Sequence, residues 1–279
     1  MNTKLKQDPQ QITFIGGGNM ASALIKGLIS DGRLPEHIFV VEPAAEARAR
    51  LKQEFSVRCI SDPTKEHSWQ TSSLIVWAVK PQQMKLACDS LASLCHGALH
   101  LSVAAGIPTS SLTQWLKSER VVRAMPNTPA LIGLGQTGLF SRHAVNLIDR
   151  KLIESIIKGT GEFIWLPNEQ LLDSVTAVSG SGPAYVFYFL EALAQAAAEL
   201  GLGPDESKQL AIGTFIGASH LALQSNETLS ALRERVTSKG GTTEAALNHM
   251  NDSRLAQSFK DAVKRAAEKS FELGVNYGK

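Results

Sequence analysis

Cysteine is scarce: Cys59, Cys88 and Cys95 are the only three in 279 residues. An odd, scattered set excludes a disulfide framework and suits a reducing cytoplasm. Long hydrophobic runs are also missing. The apolar stretch near 184–198 is broken by Glu191 and Gln195, so no membrane span is expected. The opening MNTKLKQDPQQ is polar and leads into only four apolar residues, which predicts no secretory signal and a cytoplasmic protein. Charge of one sign is absent as well: 28 Lys and Arg against 26 Asp and Glu leave a net charge of +2. Without a basic run, neither nucleic acid nor an anionic membrane is expected as a partner. None of the seven histidines sits in a catalytic motif. Cys88, Cys95, His96 and His100 lie close in sequence, but Gly97 interrupts the helix that would align the two histidines. Residues 99–104 read as a strand, and no metal is expected.

What is present is enough apolar sequence, 43% against 19% charged residues, to bury a sizeable core. Up to residue 167, short β-like runs alternate with helical stretches: ITFIG, HIFVVE, SLIVWAV, LHLSVAA, RVVRAM and GEFIWLP. Nearly continuous apolar runs in such alternation predict a mostly parallel, doubly wound sheet covered on both faces. After Pro167 the strands stop, and Ala/Leu-rich stretches separated by SGSGP, GLGPDES, QSNET and TSKGG take over. The reading is an α/β Rossmann domain over 1–167 followed by an all-α helical domain over 168–279. The segment from Pro183 to Leu200 is apolar almost all round, which suggests that oligomerisation completes the helical core.

ITFIGGGNMASALIKGLISDG sets three glycines between a strand and a helix. A dinucleotide loop needs one glycine for the tight turn and another so that backbone N–H groups can reach a pyrophosphate at the positive helix end. Gly16 and Gly18 fill those roles, and Ala21 takes the small third position. Glu42 ends the second strand, where an acid usually binds the adenine-ribose 2′-hydroxyl and favours NAD. Arg48 and Lys52 close behind could serve a 2′-phosphate, so the choice between NADH and NADPH stays open. WAVKPQQM ends a strand in Lys80 and Pro81, where a lysine either touches phosphate or substrate or is solvated surface. SVAAGIP ends the next in small residues that would let a flat nicotinamide ring lie against the backbone. In RAMPNTPALIGLG two prolines bracket Asn127 and Thr128 and fix a loop presenting an amide and a hydroxyl near the same edge.

These pieces, in this order, resemble pyrroline-5-carboxylate reductase: FIGGGNMA, AVKPQ, VAAGI, RAMPNTPA, AVSGSGPAYVF and VTSKGGTTEAAL. The resemblance spans essentially the whole chain. It implies reduction of 1-pyrroline-5-carboxylate to L-proline with NAD(P)H, the last step of proline biosynthesis. It also implies an interlocked homodimer, in many members assembled into a larger ring. By the same resemblance, Ile15, Gly16, Gly17, Gly18, Asn19 and Met20 form the pyrophosphate loop. Ala78, Val79, Lys80 and Pro81 line cofactor and substrate edge, and Val103, Ala104 and Ala105 the nicotinamide side, with Asn127 added to the cofactor set. Ser238, Gly241, Thr242 and Thr243 surround the substrate, and Glu169 approaches it. Lys239 stands where the family commonly has proline, and Glu-Pro follows the second strand where many members have a basic or hydroxyl residue.

Reducing a cyclic imine needs a hydride on carbon and a proton on nitrogen. A cofactor carries the hydride, so the protein positions and stabilises. If the imine enters protonated, Thr243 suffices to orient the nitrogen and relay a proton, with Lys80 as the other candidate catalytic group. The Gly-Gly pair lets backbone N–H groups at a helix start curl toward a carboxylate. Glu244 is expected to point away from that anion. A simple helix cap reads from the same residues. Hydroxyacid dehydrogenases of similar layout need a helical lysine, and this chain has none between Lys158 and Lys208. A nucleotide-sensing regulator without catalysis is the alternative from another class.

Overall fold

The computed structural model describes residues 11–95 and 97–279. The expectations drawn on the first ten residues and on His96 fall outside them. Eight strands form one sheet: β1 (Ile12–Ile15), β2 (Ile38–Val41), β3 (Arg58–Ile60), β4 (Leu74–Trp77), β5 (Leu99–Ser102), β6 (Val121–Met125), β7 (Gly135–Ser141) and β8 (Gly161–Trp165). Their spatial order is 3, 2, 1, 4, 5, 6, 7, 8. Neighbours run parallel except β6 and β7, which are antiparallel. Five helices are interleaved: α1 (Asn19–Ser30), α2 (Ala45–Phe55), α3 (Pro81–Leu91), α4 (Thr109–Leu116) and α5 (Leu147–Lys158).

Strand alternation distributes the core over both faces. Ile12, Phe14, Ile38, Val40, Leu74 and Val76 meet Leu24 and Ile25 of α1, Leu51 of α2 and Ile153 and Ile157 of α5. The opposite face carries Ile15, Phe39, Ile75 and Trp77 against Met84 of α3 and Leu112 and Trp115 of α4. At roughly 1.5–3 kcal/mol for each fully buried large apolar side chain, these two layers supply most of the driving force. The helix starts follow from local chemistry. Pro81 opens α3 with a fixed φ and no N–H to leave unpaired, and α5 begins in a capping box between Asn146 and Asp149.

Two strands go beyond the sequence reading. β3 is only RCI, with Arg58 exposed. β7, GQTGLFS, is absent from the β-like runs read in the sequence, and its Gly138 has a packing purpose. A Cβ there would come within 2.9 Å of both γ-methyl groups of Val175. Val175 belongs to α6 (Leu171–Val175), which continues into a π-helical turn, Thr176–Gly180.

The remaining helices are α7 (Gly182–Glu199), α8 (Pro204–Gln224), α9 (Leu229–Arg235), α10 (Thr242–Asp252) and α11 (Leu255–Tyr277). The chain forms two compact units. One runs to Ser181 and takes back Ala266–Lys279; the other is Gly182–Arg265. The change from strands to helices at residue 167 therefore precedes the end of the first unit, because α6 and the π-helical turn stay with the sheet. Among the described residues, no helix is long and apolar enough to cross a membrane.

Candidate active site

In the first unit, β1 lies between β2 and β4, so the chain direction across the sheet switches between β1 and β4. Open α/β sheets bind ligands at the carboxyl edge of such a switch point. Gly16 follows β1 there with φ +98°, a left-handed conformation that L side chains rarely adopt. A Cβ at Gly16 would lie 2.7 Å from the Ala78 carbonyl oxygen and 3.1 Å from Val79 Cγ1, so only a glycine lets the loop after β1 come this close to the loop after β4. Gly18 is the N-cap of α1, with no side-chain cap, no acid in the first turn and open space where a Cβ would be. The exposed Gly18 and Asn19 and the half-buried Met20 thus leave the positive end of a 12-residue helix accessible.

Two side chains brace this loop from outside. The Gly17 N–H donates to Glu42 Oε2 at 2.9 Å, and Arg50 Nη2 donates to the Gly17 carbonyl at 2.9 Å. Glu42 Oε1 accepts from the Ala44 N–H at 2.8 Å. Arg48 Nη1 is tied to the carbonyls of Glu42 and Pro43 at 2.9 and 2.6 Å. Glu42 therefore stands where the sequence places it, but both its oxygens already serve the backbone. Arg50 has no counterpart in the sequence motifs; only its distance from the glycine loop hid it.

Ala78 and Val79 follow β4, half-buried, and Pro81 starts α3. Lys80 is exposed; its carbonyl accepts from the Gln83 N–H at 2.9 Å, and its ammonium has no hydrogen-bond or ion-pair partner among the described residues. Val103, Ala104 and Ala105 follow β5, with the Val103 N–H donating to the Trp77 carbonyl at 3.1 Å. The loop after β1, that after β4 and that after β5 consequently share one edge of the sheet, as expected from the sequence.

Two expected ligand contacts have other occupations. Asn127 is buried, its Nδ2 donating to the Ser179 carbonyl and its Oδ1 accepting from the Gln136 N–H, each at 2.9 Å. Its amide joins the loop after β6 to β7 and the π-helical turn. Glu169, expected near substrate, accepts from the Thr109 N–H and Oγ1 and from Arg123 Nη1, all at 2.6 Å. It holds the start of α4 and neutralises the nearly buried Arg123, so in this structure it braces the fold. These partners sit 60 and 46 residues away in sequence, beyond the reach of any local pattern.

In the second unit, TSKGG forms the turn into α10. Gly241 is the N-cap and lacks a side-chain cap bond, so the first N–H groups of an 11-residue helix stay available. Thr242 is exposed and Thr243 half-buried, and neither hydroxyl is engaged by another described residue. Ser238 lies on the same turn, its carbonyl accepting from the Gly241 N–H at 3.0 Å. Glu244 does not point away as expected: its Oε2 accepts from the Gly240 N–H at 2.6 Å, folding the carboxylate back over the glycine turn. The exposed Lys239 beside it has no ion-pair partner among the described residues.

The Cys88, Cys95 and His100 side chains belong to the core. Burial pushes both thiols up to about 12, so they stay protonated at neutral pH. Burial, followed by the charge of Arg120, lowers His100 to about 4, and its neutral Nδ1 accepts from Trp77 Nε1 at 3.2 Å.

Residues 169–273 match the family model described as pyrroline-5-carboxylate reductase dimerisation, and residues 11–106 match one described as NADP oxidoreductase, coenzyme F420-dependent. The pyrroline-5-carboxylate reductase of Pseudomonas aeruginosa is 39% identical over 270 residues, covering 96% of this chain and 98% of that protein. A solved pyrroline-5-carboxylate reductase from Coxiella burnetii superposes with a TM-score of 0.86 at 36% identity, covering 95% of this chain and 99% of the other. A Plasmodium falciparum pyrroline carboxylate reductase with NADP bound gives a TM-score of 0.86 at 28% identity, covering 96% and 99%. With a glycine-cradled helix start at the sheet switch point and this likeness along nearly its whole length, the chain belongs to the pyrroline-5-carboxylate reductase family.

Proposed function

We propose that the protein reduces the C=N bond of 1-pyrroline-5-carboxylate to L-proline, as the last step of proline biosynthesis. One observation carries the reading beyond family membership: the N-terminus of α10 has no side-chain cap and is flanked by two threonine hydroxyls with no partner among the described residues. That is an anion grip with a polar contact for a ring nitrogen beside it. The nicotinamide cofactor supplies a hydride when bound.

The chain's own residues bind and orient. Gly16, Gly18, Asn19 and Met20 hold the pyrophosphate on the open start of α1, where a Cβ at Gly16 would collide with Ala78. Val103, Ala104 and Ala105 flank the nicotinamide, and the exposed Lys80 contributes a positive charge for phosphate or carboxylate. Ser238, Gly241 and Thr242 take the substrate carboxylate. Thr243 orients the imine nitrogen through its hydroxyl; a substrate that enters protonated needs no stronger acid. Glu42 keeps a carboxylate at the end of β2, anchored by two N–H groups, and a fixed negative charge there disfavours a 2′-phosphate. NADH is accordingly the preferred donor, while Arg48 is the group placed to receive the phosphate of NADPH.

The helical residues are proposed to form a homodimer. Support comes from α7, on which no residue is buried within one chain although Phe187 and Tyr188 are 66% and 69% exposed. Free thiols at Cys59, Cys88 and Cys95 fit a cytoplasmic protein. Following NAD(P)H absorbance with 1-pyrroline-5-carboxylate, and identifying proline as product, tests the activity. Cofactor binding with no turnover would sink it in favour of a sensing role.

A further inference from the structure

The loop joining β5 to α4 is residues 103–108, and its far side is covered by the last turns of the chain. Gly106 has φ +78°, and a Cβ on it would lie 2.9 Å from the Gly274 nitrogen, 2.9 Å from the Ser270 carbonyl oxygen and 3.0 Å from Leu273 Cβ. The contact is reciprocal, since a Cβ on Gly274 would approach the Gly106 carbonyl oxygen to 2.5 Å. Two glycines 168 positions apart in the numbering therefore let helix backbone meet loop backbone with no side chain between. Flanking bonds fix the helix in that position. Ser270 is buried and donates to Asp173 Oδ1 at 2.6 Å, and Ser111 Oγ of α4 donates to the Gly278 carbonyl. On the other flank Glu169 holds the Thr109 N–H at the start of α4. A cleft of about 360 Å³ opens beside the glycine pair, lined by Arg123, Asp173 and Phe271, and Pro108 at the end of the loop packs near Gly278, so the pair and the Pro108 contact together support the loop.

We infer that Gly274 is a positioning residue for hydride transfer: the end of α11 sets the height of the loop carrying Val103, Ala104 and Ala105, and through it the nicotinamide ring. This deepens the proposed function and rests on its placement of the nicotinamide along 103–105. A reacting pair must be held to within fractions of an ångström, and small misplacements cost large factors in rate. Nothing comparable is demanded of the adenine half of the cofactor, which is gripped at α1 and β2.

Gly274→Ala is the direct test. The new methyl group cannot coexist with the Gly106 carbonyl at 2.5 Å, so the loop or the helix must move. Expected is a fall of about tenfold in the single-turnover rate, with a raised primary isotope effect from deuterated cofactor. Affinity for ADP-ribose, which lacks nicotinamide, should stay within about twofold, since the α1 grip is untouched. Ser270→Ala, which adds no volume, should move the same quantities in the same direction by a smaller factor, and it serves if Gly274→Ala does not fold. A folded Gly274→Ala, or in its absence a folded Ser270→Ala, with parental single-turnover rate overturns the inference. Equal losses for ADP-ribose and whole cofactor also overturn it, because they mark general destabilisation. Ala105→Leu in the otherwise native chain separates the premise from the inference. If it leaves whole-cofactor affinity unchanged, the nicotinamide does not lie along 103–105; if it weakens that affinity while Gly274→Ala changes nothing, only the role of α11 fails.

Discussion

Replacing Glu169 by glutamine should destabilise the fold while leaving substrate affinity almost untouched. Glutamine keeps one carbonyl oxygen for the Thr109 N–H but cannot neutralise Arg123, whose side chain is only 8% exposed against 19% for Glu169. Removing one partner of a fully buried ion pair typically costs about 3–5 kcal/mol, because the survivor stays desolvated and unpaired. Partial exposure of Glu169 lets water reach one end of the pair, which sets the expectation at the lower bound, about 3 kcal/mol. Denaturant unfolding at fixed protein concentration, followed by circular dichroism, measures the change. The Arg123→Met background supplies the internal check: with the charge gone, Glu169→Gln should cost at least about 1 kcal/mol less than it does in the native background. The KM for the imino acid should stay within about twofold, since the carboxylate is assigned to α4 and Arg123. A tenfold or greater rise in that KM with an unchanged unfolding midpoint would refute the assignment and restore Glu169 to the substrate.

Thr243→Val should lower kcat by about 100-fold, the usual loss when one aligned donor is removed, with cofactor Kd within twofold; unchanged turnover would reduce Thr243 to part of a helix start. Glu42→Ser should raise the NADPH-to-NADH ratio of kcat/KM by about tenfold, equivalent to roughly 1.4 kcal/mol. Both cofactors bind less tightly in that variant because the Gly17 brace is lost, so the ratio is the readout, and an unaltered ratio removes Glu42 from the ribose site. His100 falls from the ordinary 6.5 to about 4 in the fold, so the unfolded chain binds the extra proton first. Its contribution to stability is intact above pH 6.5 and is lost as pH falls toward 4, by about 3 kcal/mol at 1.36 kcal/mol per unit. His100→Gln keeps an acceptor for Trp77 and should flatten that part of the pH profile; an equally steep profile would place the titration elsewhere.

Much of the architecture was legible because its determinants are local. The glycine loop, the apolar strands flanking it and the hydroxyl-rich start of α10 each declare themselves within a dozen residues. β7 did not, since the packing of Val175 on Gly138 is set across the fold. The alternate occupations of Asn127 and Glu169 were equally hidden, being set by Ser179, Gln136, Thr109 and Arg123 across the fold. Glu244 was misjudged for a different reason: helix-dipole reasoning accounts for its charge at the helix start but not for the unpaired Gly240 N–H that turns it back.

The return of Ala266–Lys279 to the sheet has a consequence for how the protein is made. The first unit is assembled from two stretches separated by Gly182–Arg265, so during synthesis all eight strands, which lie between Ile12 and Trp165, emerge before the segment that covers the Gly106 loop. The sheet is free to fold in order of synthesis, but the Gly106 loop gains its glycine contact with Gly274 only after the helical unit has been made.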